Sequence, residues 1–309
     1  MHFLCQLSRS LHRRGLHTLH RRGLHIAGGS HKYDVVICGG GVIGCSIAYH
    51  LLAKSAGRML SVAVVEPDPN YQHSSAPRSA GGVRQQFSLA PNIELSQYGI
   101  AFLRSVGEVL QVPGSDAVPD VQLKEQGYLF LASDAGTSTL QQNHATQQSV
   151  GARTSILEKQ ELANRFPWLN LDGIALGCFG DRDEGWFDPF SLQMALRAKA
   201  RDMGVDFIHG RVTGFDCTRP SGSTETKVIT AVDVHTTTGE QRRISAGHVV
   251  NAAGAFAGQL VGFCGAGVAP LPVHARKRFI FSFHVAPPDD PAVLLPPSDT
   301  TPLVSACRP

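Results

Sequence analysis

The chain has 309 residues, enough for two modest domains, and at 42% hydrophobic it can bury a real core. No apolar run approaches the ~20 residues a membrane span needs. Of its 28 Lys and Arg, six lie in residues 1–33, which hold no acid; the remaining 22 face 25 acidic residues, so the body is mildly acidic and recommends no nucleic-acid partner.

Residues 1–32 come first. Leu4, Leu7, Leu11, Leu16, Leu19 and Leu24 are interleaved among arginines, the pattern of a mitochondrial presequence removed before folding. A secretory signal would need a continuous apolar core, which Arg and His interrupt here. A short repeat, Leu11–His17 and Leu19–His25, supplies histidines but no fixed ligand cage, so no metal site is expected. Seven cysteines without a C-x-x-C pair argue for reduced thiols.

Tyr33–Cys38 is a short β-branched run and predicts a buried strand. Gly39-Gly40-Gly41-Val42-Ile43-Gly44 supplies G-x-G-x-x-G spacing, and helical periodicity follows over Cys45–Lys54. Leu60–Val65 predicts a second strand, tipped by Glu66. Each part has a physical task in binding a dinucleotide. Gly39 permits the tight turn, Gly41 lets a pyrophosphate approach the backbone, and Gly44 lets the helix lie close on the sheet. The helix N-terminus, at Val42 and Ile43, offers N–H groups and partial positive charge to phosphates. Glu66 would accept hydrogen bonds from ribose hydroxyls, and its charge would repel a 2′-phosphate, so an NADP site is not expected.

Ser74–Arg84 is small, flexible and basic, suited to a second phosphate-holding loop or to an ordinary surface loop. A helix is expected over Asn92–Val109, a break over Gly114–Asp120, and a strand over Gln122–Ala132. Helices follow at Ser138–Ser149 and Glu158–Phe166, the latter stopped by Pro167, then a strand at Asp172–Phe179. Asp188 reads as an N-cap and Pro189 fits the first turn of a helix through Met203. Strands are expected at Val205–Ile208, Arg211–Phe215, Lys227–Thr237 and Gln241–Ser245. His248–Ala255 reads as a buried strand entering a small-residue turn, where a second backbone segment could approach a cofactor. Lys277–His284 predicts a last strand before a proline-rich tail without helix.

These pieces in this order resemble the D-amino-acid oxidase / sarcosine oxidase / dimethylglycine dehydrogenase family of flavoproteins. The marks are Gly39–Gly44, Glu66, the Ser/Gly/Arg loop, Glu184-Gly-Trp-Phe-Asp-Pro189 and Val250-Asn-Ala-Ala-Gly254. Gly81-Gly82 with Gln85–Leu89, Arg165–Trp168, Asp183–Pro189 and Arg276-Lys277-Arg278 are similar to a mitochondrial branch of that family associated with assembly of respiratory complex I. The resemblance covers about Tyr33 to Val285. It implies an α/β fold, an FAD-binding Rossmann-like parallel sheet with an interleaved, incomplete mixed-sheet substrate domain. The flavin domain would take residues 33–115 and 184–268, and the cap 116–183 and 269–309. It implies FAD at Gly39, Gly41, Val42, Ile43, Gly44 and Glu66, with Ser74 and Ser75 in the following loop. Val212 would lie in the strand whose backbone meets the adenine, and Ala253 and Gly254 would pack near the cofactor. Some relatives attach FAD through a His; Ser79 stands there, which implies non-covalent FAD. Arg84 falls where sarcosine oxidases grip the substrate carboxylate, a contact suited to guanidinium geometry; a loop-stabilising or phosphate-facing charge is the alternative. The implied activity is amine or amino-acid oxidation at a C–N bond, in the mitochondrial matrix or at the inner face of the inner membrane. A non-catalytic FAD-bound scaffold for complex I assembly intermediates is the rival. Family members continue further, so a shortened isoform is expected, with the pocket roof missing.

Overall fold

The computed structural model describes residues 32–219, 227–281, 294–297 and 300–307, the side chains of Ala306 and Cys307 excepted. The presequence and histidine-repeat readings, the loop 220–226 and the end of the expected 277–284 strand lie outside the described residues.

The first strand, β1 (Lys32–Cys38), ends at the glycine turn and leads into α1 (Val42–Ala53) and β2 (Val62–Glu66). β1 lies parallel to β2 on one side. After β3 (Gly82–Val83) comes α2 (Ala90–Val109), with Pro91 in its first turn, where the missing N–H costs nothing. β4 (Tyr128–Ala132), α3 (Thr137–Ser149), β5 (Thr154–Glu158), α4 (Lys159–Arg165) and β6 (Leu176–Gly180) follow. Next are β7 (Gly185–Trp186), α5 (Pro189–Asp202), and three long strands, β8 (Asp206–Thr218), β9 (Val228–Thr236) and β10 (Gln241–Asn251). α6 (Ala257–Gly262) and β11 (Leu303–Cys307) complete the described elements.

β8 and β10 each serve two roles. Their near halves extend a parallel sheet in the order β8–β2–β1–β10, while their far halves flank β9 in an antiparallel meander, so the ring of pairings closes. β1 is buried on both faces, as a parallel strand requires. Val35 and Ile37 pack with Ala48 of α1 and Ala200 of α5, while Val36 and Cys38 pack with Val232, Val234 and Ile244 of the meander. That double burial is why the strand reads as a continuous apolar run.

A second sheet, in the order β11–β4–β6–β5, is mixed: β11 is parallel to β4 and the other pairs are antiparallel. Leu129 and Leu131 pack against Leu162 of α4 and Phe166; Ala132 packs with Leu140 of α3. The two-stranded β3–β7 ladder ties the loop after the nucleotide unit to the segment following β6.

Several expected boundaries move. Val205–Ile208 and Arg211–Phe215 form one strand, and so do Gln241–Ser245 and His248–Asn251. The intervening glycines do not break the chain. A Cβ on Gly210 would stand 2.8 Å from the His235 carbonyl oxygen, and one on Gly247 would stand 2.9 Å from that of Asp34, so both mark close backbone approach. Gln122–Gly127 makes a single bridge, Lys124 to Trp186, with left-handed backbone at Gln122 and Gly127, and the strand proper starts at Tyr128. Lys277–Phe281 pairs with no strand in the described structure, and β11, in the proline-rich tail, was not expected.

Candidate nucleotide and substrate sites

The glycine turn is held by sterics that only glycine satisfies. Gly39 has φ +108°, and a Cβ there would meet the Ala252 carbonyl oxygen at 2.5 Å. A Cβ on Gly44 would fall on the Gly39 carbonyl oxygen, which is how α1 lies so close to the strand end. Gly41 differs. The nearest atom to its would-be Cβ is Ser74 Oγ at 3.5 Å, so the space before the helix is open. Gly41 is the N-cap of α1, no side chain caps the helix, and its first turn contains no acid. Ile43 stands 62% exposed. The N–H groups of Val42, Ile43 and Gly44 are therefore presented to an anion in the groove.

Glu66, at the tip of β2, is fixed across this turn. Its Oε2 accepts from the Gly40 N–H at 2.8 Å, and its Oε1 accepts from the Asp68 N–H at 2.8 Å. Each oxygen keeps a further lone pair. Asp68 then shapes the loop by accepting from the backbone N–H groups of Asn70 and His73. Ser74 lies beside Gly41, its hydroxyl 3.5 Å from Gln193 Oε1 of α5, and Ser75 precedes a 3-10 turn at Ala76–Arg78. Ala252, Ala253 and Gly254 leave the end of β10 against the turn; Ala252 N–H donates to the Cys38 carbonyl at 2.9 Å. The structure thus brings Gly39, Gly41, Gly44, Glu66, Ser74 and Ala253 together at one turn, while Gly254, one residue on, is exposed with nothing within 4 Å of its would-be Cβ. Val212 is buried in β8 with its side chain spent in the core, and a register shift between Val212 and Gly214 interrupts the ladder there. Burial pushes the Cys38 and Cys45 thiols up to about 12, which makes them inert core groups; both are free.

Arg84 belongs to a second cluster. Its guanidinium carbon lies 4.7 Å from the centroid of Phe87, 5.3 Å from Phe130 and 5.6 Å from Tyr128, a three-sided aromatic cage. Its Nε is buried without a hydrogen-bond partner. It lines a cavity of about 290 Å³ with Gly82, Phe87, Phe102, Phe187 and Leu192. A larger cavity, about 600 Å³, runs along the outer side of α1 and reaches none of these groups.

Beneath Arg84 lies a residue that the sequence marked without assigning a role. Glu184 is 1% exposed. Oε1 accepts from the Gln85 N–H at 2.6 Å and Oε2 from Gln86 Nε2 at 2.7 Å, and Gln86 Nε2 also donates to the Tyr128 carbonyl at 2.8 Å. Burial pushes the Glu184 carboxyl up to about 7, against those hydrogen bonds and the Arg84 charge, which pull it down. Gln85, Gln86, Tyr128 and Phe130 were equally unforeseen. Gln85 and Glu184 are 99 positions apart, and the β3–β7 pairing brings their segments together.

With this geometry in view, comparison places the chain among known proteins. The family model described as FAD dependent oxidoreductase matches residues 34–307. FAD-dependent oxidoreductase domain-containing protein 1 of Xenopus laevis is 39% identical over 269 residues, covering 82% of this chain and 54% of that protein. The chain therefore spans about half the length of the relatives it matches. The crystal structure of glycine oxidase from Geobacillus kaustophilus aligns with a TM-score of 0.58 at 26% identity, covering 76% of this chain and 59% of the other. That of L-proline dehydrogenase from P. horikoshii aligns with a TM-score of 0.61 at 24% identity, covering 77% and 57%, and shows the same fold.

Proposed function

The chain belongs to the family of FAD-dependent oxidoreductases, and on that footing we propose that it holds FAD without a covalent link and oxidises a small amine or amino acid at its C–N bond. FAD is the cofactor of the family, and the residues present fit it: a glycine cradle that any Cβ would fill, an uncapped helix start, and an oriented carboxylate. When bound, the flavin accepts the electron pair, which no side chain here can do.

The chain's own residues bind and orient. Val42, Ile43 and Gly44 direct N–H groups at the pyrophosphate. Glu66, already aligned by two backbone donors, accepts from the ribose hydroxyls. Ser74 and Ser75 would hold the phosphates, the Val212 backbone would meet the adenine, and Ala253 and Gly254 would pack near the cofactor. Ser79 carries no imidazole for covalent attachment. Arg84 pairs with the substrate carboxylate, and its aromatic cage keeps water away and strengthens the pair. The observation that carries the reading is the Glu66 carboxylate locked beside the glycine turn in this fold. Its test is anaerobic addition of N-methyl amino acids to the FAD-loaded protein. Bleaching of the flavin absorbance is expected, reduced at least tenfold in rate by Arg84→Gln; an unchanged spectrum with every amine would defeat the catalytic reading.

A mitochondrial setting is supported by the acid-free basic leader, and a role with complex I assembly intermediates by the phrases Gly81–Leu89 and Asp183–Pro189. In that role the FAD-loaded protein acts as a scaffold through its surface. Affinity purification from mitochondria should recover complex I subunits, and their absence would remove this role while leaving the oxidation chemistry to stand.

A further inference from the structure

The Arg84 cluster brings together two charges of opposite sign that are not paired, a buried Glu184 carboxyl and a half-buried Arg84 whose Nε is buried. Arg84 has no hydrogen-bond partner at Nε. Glu184 takes its two hydrogen bonds from Gln85 and Gln86, the residues next to Arg84 in sequence, rather than from the guanidinium. The carboxylate is therefore tied to the loop that carries Arg84 and feels its charge through space. Other charges nearby are committed elsewhere. Asp183, beside Glu184, turns outward to Arg104 and Arg153, and Arg104 also pairs with Glu125. β6 presents Gly180, where any Cβ would collide with the Glu184 carboxyl. β4 presents Tyr128, which meets Gln86 through its backbone carbonyl, and the bridge to β7 brings Lys124 by its backbone. Arg84 is the positive charge that bears on Glu184.

Resting on the reading of Arg84 as the carboxylate-binding group, we propose that Glu184 is the internal counter-charge of that site and takes up a proton from solvent when an anionic ligand binds. A carboxylate on Arg84 satisfies the guanidinium and cancels the field that favours ionised Glu184. Two carboxylates then share one half-buried cation, and the fully buried one without direct contact is neutralised. Glu184 already stands near the balance point, its carboxyl raised to about 7, so a small change of field moves its proton. No bond other than the O–H on Glu184 forms, and the ligand reaches the site as its anion. Glu184 is thus a positioning residue that makes the site prefer anions at lower pH.

The experiment is calorimetric titration of the FAD-loaded protein with benzoate and with benzamide, its uncharged counterpart, in two buffers of different ionisation enthalpy. For the native protein, benzoate should bind with uptake of a substantial fraction of a proton between pH 7 and 8, and benzamide with none. Benzoate affinity should fall as pH rises past 7, by up to tenfold per unit, while Glu184→Gln should show neither the uptake nor the slope. A protonated-carboxyl infrared band appearing on benzoate addition reads the same event in the native protein, independently of whether the variant folds. Arg84-dependent binding of benzoate without proton uptake, or with uptake that persists in Glu184→Gln, overturns the coupling alone. Failure of benzoate to bind, or binding by Arg84→Gln at native affinity, overturns the reading of Arg84 and the coupling with it.

Discussion

Glu66 and Gly39 contribute to the nucleotide groove in different ways, and their variants separate binding from folding. Glu66→Ala removes a charged acceptor worth ~1.5–3 kcal/mol to a ribose. FAD dissociation constants should rise about ten- to a hundredfold by fluorescence titration, with circular dichroism unchanged. Gly39→Ala places a methyl group against the Ala252 carbonyl at positive φ, and should lower stability by about 1–3 kcal/mol in urea melts even without cofactor. Glu184 makes a third, pH-dependent case. Its folded carboxyl is raised from 4.5 to about 7, so the stability it confers is complete below pH 4.5 and is lost as pH rises through 7. The loss is on the order of 3 kcal/mol. His50 and His144, held below the ordinary imidazole value mainly by burial, act in the opposite sense over part of this window, so the difference between native protein and variant isolates Glu184. Between pH 5 and pH 8 the stability of Glu184→Gln should rise relative to the native protein; a constant difference in urea midpoint would refute this assignment.

Among the elements, α5 is the one whose start the sequence specifies most fully. Asp188 accepts from the Phe190 N–H at 3.0 Å and from the Ser191 hydroxyl, with Pro189 in the first turn. Leu192 and Leu196 then enter the core shared with α1 and α2, and Gln193 meets the Ser74 loop. Asp188→Ala should cost about 1 kcal/mol of stability and Asp188→Asn much less, as thermal melts will show. Signals of this kind are local, which is why the strand–turn–helix–strand unit and α5 could be read to within a few residues. α2 and α4 were equally legible from apolar spacing and from the proline that follows α4. The long strands were not, because Gly210 and Gly247 carry the same letter as a turn glycine and only the neighbouring strand shows that they permit close approach. β11 was hidden by its proline-rich surroundings, and its pairing with β4 joins residues far apart in the chain. In the sites the same division holds. The glycine turn and Glu66 sit in one contiguous unit, whereas the Arg84 cage assembles from β4 and the loop after β3, and its buried acid arrives from the link between β6 and β7.

The two sites also differ in how much of each this chain supplies. Contacts expected for the adenosine and pyrophosphate come from β1, α1, β2, β8, β10 and the Ser74 loop, all tied into one continuous ring of strands and its helices. The segment beyond α6 is different: Phe279, Ile280 and Phe281 are 63–81% exposed, an apolar run with no described element against it. The matched part of this chain covers 54% of the Xenopus laevis relative. Binding energy in this chain should therefore reside in the ADP half of the cofactor. In competition titrations ADP should displace FAD with an inhibition constant within about tenfold of the FAD dissociation constant, that is, within ~1.4 kcal/mol. Riboflavin, which lacks both phosphates and the adenosine, should fail to compete at a hundredfold higher concentration. Glu66→Ala should weaken ADP and FAD by the same factor, since the lost contact belongs to the shared half. If riboflavin competes as well as ADP, the cradle at the glycine turn is not the main anchor, and the cofactor is held from the Arg84 side.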